Sequence, residues 1–545
     1  MGQKGPRPVR GNLSRPPGIR ITNLGLAASR LELSRGLGLM LVDEEDGARD
    51  RNGDGDQDDV VPAVLVRETG QLLVLPLSLG QSFFSAKYVL DDFRLVFGVM
   101  ETDQGQDLDG NGVLSGKVLH VFDAQTATTT NLGIAAEDLD FEDPYVAYEV
   151  FQVPGNPIRV RNLDTGDDVF VETGSSPQIR DGWLQLRVFE RAADLNGDGD
   201  TFDVVPFVYR LGSGLPAVNC GVALSGGVFS DGGYFAFGVP EKSQGGVDLT
   251  GDGDTNDDLL YVYDAEAQEL TYTGYWNNLL LDFSPIHPLR EGVFAWIVGE
   301  HSRGVDLNGD GDRLDAFPLL YDVVRGDAQR LPYAMSAPGS HESWSAERFF
   351  YIALENLQSE DLNGDGDTFD AVPVTVDLDS RTLSLSSLAS ALQGGVAPGG
   401  DPYFLASEAF SGTDLNGDGD LADDVLHVNT ARGEVNLRTN GYTILNTGPS
   451  NNDGAGTRAL FFTMEETDRD LNGDGDTSDF VPHVVDRTTW TIQSVGIAAS
   501  LSLYSSRPVN GAWLLVVEED EQGGTDLNGD GDTDDPVAHL VELVF

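Results

Sequence analysis

Hydrophobic residues along this chain come in short runs of five to eight, rich in Val, Phe, Tyr and Leu, with Gly, Asp or Asn at the joints. Runs of that length bounded by turn formers predict β-strands, and no stretch keeps a helical period. One stretch shows the order: VFSDGG (Val228 to Gly233), YFAFGVPE, an acidic loop, LLYVYDA, then ELTYTGY. Four strands and one loop make a unit of about 55 residues.

The unit repeats. DLNGDGDTFDVVP, from Asp194 to Pro206, has close copies starting at Asp50, Asp248, Asp306, Asp361, Asp414, Asp470 and Asp526, and a degenerate one, DLDGNGVLSG, at Asp107. Successive starts lie 57, 87, 54, 58, 55, 53, 56 and 56 residues apart. The gap of 87 holds one more unit without the loop: PYVAYEVF (Pro144 to Phe151), the link QVPGN, and PIRVRNL from Pro157. That makes ten units. TNLGLAA (Thr22 to Ala28) nearly repeats TNLGIAA (Thr130 to Ala136), a fourth strand, whereas the chain stops after a third strand, PVAHLVELVF. The first strand is therefore expected to complete the last unit and leave no open edge. The fold class is all-β: a single large β-propeller of about ten four-stranded blades over 19–545, closed by the N-terminal strand, after a flexible leader, 1–18.

Chemistry concentrates in the loops, which follow the pattern D-x-N-G-D-G-D-x-x-D, counted as positions 1 to 10. The candidate metal ligands are Asp50, Asn52, Asp54, Asp56 and Asp59 in the first loop, then Asp107, Asp109 and Asn111 in the degenerate one. Next come Asp194, Asn196, Asp198, Asp200 and Asp203, then Asp248, Asp252, Asp254 and Asp257, where Thr250 replaces the Asn and is expected to weaken the site. Asp306, Asn308, Asp310, Asp312 and Asp315 follow, then Asp361, Asn363, Asp365, Asp367 and Asp370. The last three sets are Asp414, Asn416, Asp418, Asp420 and Asp423; Asp470, Asn472, Asp474, Asp476 and Asp479; and Asp526, Asn528, Asp530, Asp532 and Asp535. Oxygens at positions 1, 3 and 5 can converge where the glycine at position 6 permits a sharp turn, with position 7 contributing and the aspartate at position 10 closing the shell. Hard Ca²⁺ takes six to eight such oxygens, whereas Zn²⁺ calls for His or Cys. Polar turns alone need Asn-Gly but no Asp at position 10. About eight Ca²⁺ sites are expected, with the Asp107 loop empty because Val113 and Gly116 stand at positions 7 and 10. A Glu precedes most loops (Glu44, Glu101, Glu190, Glu241, Glu300, Glu355, Glu408, Glu465 and Glu518) and reads as a solvated hairpin end, or else as an extra ligand.

Net charge enters next. At −57, with 90 acidic against 33 basic residues, the chain is a poor partner for nucleic acid. A lone Cys220 excludes disulfides within the chain, and no apolar run is long enough to span a membrane. No signal peptide is visible in Met1 to Arg20, yet loops of this kind fill only at extracellular calcium, so an extracellular or cell-surface location is expected.

The loop resembles those of EF-hand-like and dockerin-type proteins, and more closely the FG-GAP loops of integrin α-chain propellers, in which D-x-N-G-D-G precedes an apolar strand, here VVPFVY. It departs from FG-GAP in closing with Asp one residue later. FSDGGYFAF (Phe229 to Phe237) resembles the SPDGxxIAF signature of TolB-type blades. These resemblances imply calcium-braced blades and a role in surface binding or adhesion.

No nucleophile elbow, P-loop or dinucleotide fingerprint occurs. His120, His427, His483 and His539 share one strand position with Phe207, Tyr261, Leu319 and Val374, which marks them as packing variants. His287, His301 and His341 have no metal-binding spacing. The expected function is thus a monomeric, non-catalytic, calcium-binding adhesion-type propeller for an unidentified protein or glycan ligand. The alternative is a secreted hydrolase or lyase on a propeller scaffold with purely structural calcium.

Overall fold

The computed structural model describes residues 18–543 apart from 29, 47–48, 83–85, 192, 279–286, 291, 336–341, 397–399, 431–432, 441–442, 445–457, 465–469, 487–488, 501–508 and 510. The leader up to residue 17, Glu465 and His341 thus lie outside the described residues. Among the described residues, 38 strands form nine antiparallel sheets: seven of four strands, one of seven and one of three. In every sheet but the three-stranded one, strands follow one another in chain order, as in Val228–Asp231, Tyr234–Pro240, Asp257–Asp264 and Glu269–Asn278.

Middle strands are buried at almost every position in several sheets, as in Leu37–Asp43, Val60–Val66 and Val293–Gly299. An antiparallel sheet with one wet face would alternate, so both faces here are covered. The covers are the sheets before and after. Ala295, Ile297 and Leu320 of one sheet share a core with Phe349, Tyr351 and Val376 of the next. Leu514, Val516 and Ala538 of the last sheet likewise pack with Met40, Val42 and Ala63 of the first. The strand Ile19–Ala27 pairs antiparallel with Pro536–Leu543, with Ile21 opposite Val541. The chain is an all-β repeat protein with the sheet arrangement of a β-propeller.

The 87-residue gap is resolved differently from two separate units. Thr128–Glu142 is one strand of 15 residues, its first part paired with Lys117–Asp123 and its last part with Tyr145–Val150. Two sets of strands thereby merge into the seven-stranded sheet. No Gly or Pro interrupts Ile134 to Glu142, so the backbone has no reason to stop.

Candidate metal centres in the acidic loops

Each acidic loop joins the second and third strands of its unit. In the Asp194 loop, Asp194 folds back on the chain: its Oδ1 accepts from Gly197 N at 2.6 Å and its Oδ2 from Gly199 N at 3.0 Å. Both glycines have positive φ, 81° and 102°, which side chains resist. Asn196 Oδ1 accepts from Asp198 N, Asp198 Oδ1 from Asp200 N, and Asp200 Oδ1 from Phe202 N. The same ladder of Asx turns recurs in the Asp306, Asp361, Asp414 and Asp470 loops.

Glutamate is the organiser. Glu300 is fully buried; its Oε1 accepts from Leu307 N at 2.5 Å and Asn308 N at 3.3 Å, and its Oε2 from Asp315 N at 3.4 Å. Glu355 does the same with Leu362, Asn363 and Asp370. Glu44, Glu190, Glu241 and Glu408 each accept from two successive loop amides. The reading of this Glu as a solvated hairpin end is therefore corrected: it is the buried post around which the loop wraps. In the last unit the post is Glu519, with no exposure, and not Glu518. Glu519 follows the strand Ala512–Glu518 directly, just as Glu300 follows Val293–Gly299, and Glu518 is that strand's last residue.

Glu and the loop together bring carboxylate oxygens to one point. Single oxygens of Glu190, Asp198, Asp200 and Asp203 lie within 4.8 Å of one another. So do those of Glu44, Asp56 and Asp59, of Asp252, Asp254 and Asp257, and of Glu300, Asp312 and Asp315. Positions 5, 7 and 10 meet with the Glu in the Asp194 loop, and three of those four groups meet in the other three, while Asp194 at position 1 serves its loop's own amides. Asn at position 3 also has a task for its amide nitrogen. Asn308 Nδ2 donates to Asp315 Oδ2 at 2.7 Å and to the Leu357 carbonyl of the following unit at 2.6 Å. Asn52, Asn196 and Asn472 reach Asp103, Ser243 and Glu521 in the same way. Thr250 keeps only the first bond, to Asp257 Oδ2 at 3.0 Å.

Several buried oxygens in these clusters have no hydrogen-bond partner: Glu44 Oε2, Glu241 Oε2, Glu408 Oε2 and Asp257 Oδ1. Burial, first among the causes, also pushes the closing Asp carboxyls up, to about 7 for Asp59, Asp257 and Asp535 and to about 6 for Asp315 and Asp370. Neighbouring carboxylates add to the rise. Oxygens stripped of water and crowded by like charge fit a hard divalent cation, whose ligands sit about 2.3–2.6 Å from it.

The Asp107 loop is different. Asp109 occupies position 3, and the grouping is Glu101, Asp107 and Asp109. Position 10 is Gly116, with φ 120°, and a Cβ there would meet Phe151 Cδ1 at 3.0 Å. The strand histidines are structural: His120 and His427 are buried, stack on Phe97 and Phe404, and hold Nδ1 against the carbonyl two residues earlier.

No family model matches the chain, and no curated protein does. Among solved structures it is similar to the tricorn protease, at 11% identity and TM-score 0.29, over 91% of this chain and 47% of that one. It is similar to the β-propeller domain of the trilobed protease from Pyrococcus furiosus, at 12% and 0.28, over 66% and 97%. A third is Porphyromonas gingivalis dipeptidyl peptidase 4, at 9% and 0.36, over 90% and 65%. The chain spans about half the length of the tricorn protease. Likeness at this level concerns the fold and carries no argument about residues or chemistry. The proteins named are peptidases and not adhesion modules, so the expected non-enzymatic, adhesion-type role is not what these neighbours show. The acidic repeat suggests that role only through its resemblance to integrin loops, and its closing Asp and the preceding Glu turn inward. Among the described residues, no helix is long and apolar enough to cross a membrane.

Proposed function

We infer that this chain is a ring of about ten blades that serves as the scaffold of a secreted hydrolase, with Ca²⁺ in the acidic loops playing a structural part. The observation that carries the calcium reading is the set of unpartnered, fully buried Glu oxygens beside the Asp cluster. The ions would be held by positions 5, 7 and 10 and the preceding Glu, in eight loops. They neutralise charges that otherwise repel one another, and so couple metal binding to folding. At tenfold excess over Kd each ion stabilises by roughly 1.4 kcal/mol, and eight such sites rival the stability of a whole domain. Sites of the extracellular class, with Kd near ~10⁻⁴–10⁻³ M, fill outside the cell. Closure of the ring is supported by the pairing of Ile19–Ala27 with Pro536–Leu543 and by the core shared between first and last sheets. The hydrolase half follows the names of the matched propellers and not a catalytic constellation in this chain.

Thermal unfolding with millimolar Ca²⁺, Mg²⁺ or EGTA tests the first half: a rise specific to Ca²⁺ is expected, and equal melting in all three refutes it. A panel of peptide and ester substrates tests the second; absence of turnover in the calcium-loaded protein removes the hydrolase reading and leaves the brace intact.

A further inference from the structure

Away from the acidic loops, one cavity combines groups that the brace does not use. It measures 280 Å³ and lies between the sheet of Ser175–Arg180 and Trp183–Phe189 and the next sheet's first strand, Val228–Asp231. Its polar lining comes from Ser176, Gln178, Arg180, Gln185, Arg187 and Ser230. The pairing of the first two strands slips between Ser175 and Gln178, and Ser176 sits at φ 52°, a conformation that a side chain adopts only under constraint. Irregularities of this kind re-aim side chains next to functional sites. Here the slip leaves room in front of Gln185 and Arg187, which project from the same face of their strand because they are two residues apart.

Two features of that room are unspent. Arg187 makes no ion pair and no side-chain hydrogen bond among the described residues, in a protein of charge −57 where carboxylates outnumber cations almost three to one. Arg180 beside it is engaged only with the Ile179 carbonyl and, at 3.7 Å, with Asp140. Gln185 is 5% exposed; its Nε2 donates to Gln178 Oε1 and to the Val228 carbonyl at 3.2 Å, which fixes the amide's orientation. Its Oε1 then has no donor. A buried acceptor left unmet costs about 1–3 kcal/mol, and a ligand N–H would recover it.

The two requirements are an anion with a planar, two-oxygen face for a guanidinium, and an N–H donor a few bonds away. We propose that this cavity binds the free carboxyl terminus of a peptide, Arg187 pairing with the carboxylate and Gln185 Oε1 accepting the N–H of the terminal residue. The guanidinium fork matches a carboxylate bidentately. Phosphate offers the anion without a fixed N–H. The volume is near the lower end of small-ligand sites, roughly 300 Å³, so it admits the last one or two residues of a chain and not a folded partner.

The inference stands on this cavity and not on the hydrolase reading, and its test needs no turnover. Titration calorimetry of the calcium-loaded protein with N-acetyl-alanyl-alanine, its C-terminal amide and inorganic phosphate separates the outcomes. The free acid is expected to bind, the amide and phosphate at least about tenfold more weakly, the difference expected for one charge-assisted pair. Arg187→Met abolishes binding, and Arg187→Lys, which keeps the charge without the fork, weakens it about tenfold with unchanged circular dichroism. Gln185→Met weakens the peptide but leaves weak acetate binding as it was. The proposal fails if the amide binds as tightly as the acid, if phosphate binds as tightly as the peptide, or if Arg187→Lys binds like wild type.

Discussion

Replacing Glu519 by Ala tests the buried post most sharply, because its neighbour Glu518 is an internal control. Glu519 has no exposed surface and accepts from the amides of Leu527, Asn528 and Asp535, the last two at 3.2 and 3.3 Å. Hydrogen bonds to a charged group contribute about 1.5–3 kcal/mol each, and the amides left behind have no water to turn to. Taking the low end for each of the three gives a loss of about 4–5 kcal/mol. Unfolding entropy of roughly 2 cal/mol/K per residue converts that into a fall of about 4 °C in Tm, if the chain unfolds as one unit. Glu518 is half-buried, its carboxyl raised by burial, and supports no loop amide; Glu518→Ala is expected to cost no more than about 1 kcal/mol. Melting by circular dichroism in EGTA reads the hydrogen bonds alone, and calorimetric Ca²⁺ titration reads whether one site disappears. An undiminished Tm and stoichiometry for Glu519→Ala, or a larger loss for Glu518→Ala, would refute the reasoning.

Further outcomes are expected elsewhere. Thr250→Asn supplies the missing donor toward the following unit and raises Tm in proportion to about 1 kcal/mol; a fall would show that the loop cannot seat the amide. Gly116→Asp fails to restore a site in the Asp107 loop, since Phe151 blocks the Cβ and φ is 120°, so Ca²⁺ stoichiometry stays unchanged while stability drops. His539 is 1% exposed and burial lowers its pKa to about 4, so the folded state binds fewer protons than the unfolded one between pH 4 and about 6.5. Its contribution is complete above pH 6.5 and is lost as pH falls toward 4, by roughly 3 kcal/mol. His539→Phe, the residue type at Phe207 in the equivalent position, is therefore expected to flatten stability over that interval, read from urea midpoints at pH 7 and pH 4.5.

Much of the fold is legible in the sequence because every unit states the same pattern, and a periodic acidic loop fixes the register of strands on either side of it. The strand position of His120 and His427 was readable from Phe and Leu at the same place in other units. The post was not: near the last loop two Glu stand side by side, and only where the second strand ends decides which is swallowed. Asn at position 3 reads as an oxygen donor from its type and spacing, but the sequence does not show that its amide nitrogen holds the closing aspartate and, from Asn52, Asn196, Asn308 and Asn472, the following unit. The seven-stranded sheet was hidden because nothing in the sequence between Ile134 and Glu142 distinguishes a joint from a continuing strand. The adhesion reading failed at the step from loop to role, since a brace within each unit says nothing about what the whole molecule touches.

The bond from position-3 Asn to the carbonyl of the following unit runs one way along the chain, from Asn52 to Asp103, from Asn196 to Ser243 and from Asn308 to Leu357. These loops are thus latches whose tongue belongs to one unit and whose keeper belongs to its successor, and loosening one of them slackens the start of the next. The chain of latches is broken at the Asp248 loop, where Thr250 stands, and at the Asp107 loop, where the Asp109 side chain has no N–H to give. At that seam the continuous strand Thr128–Glu142 takes over, and covalent backbone joins what an amide joins elsewhere. The strand sets fused by Thr128–Glu142 are therefore expected to stay together when the latches elsewhere loosen.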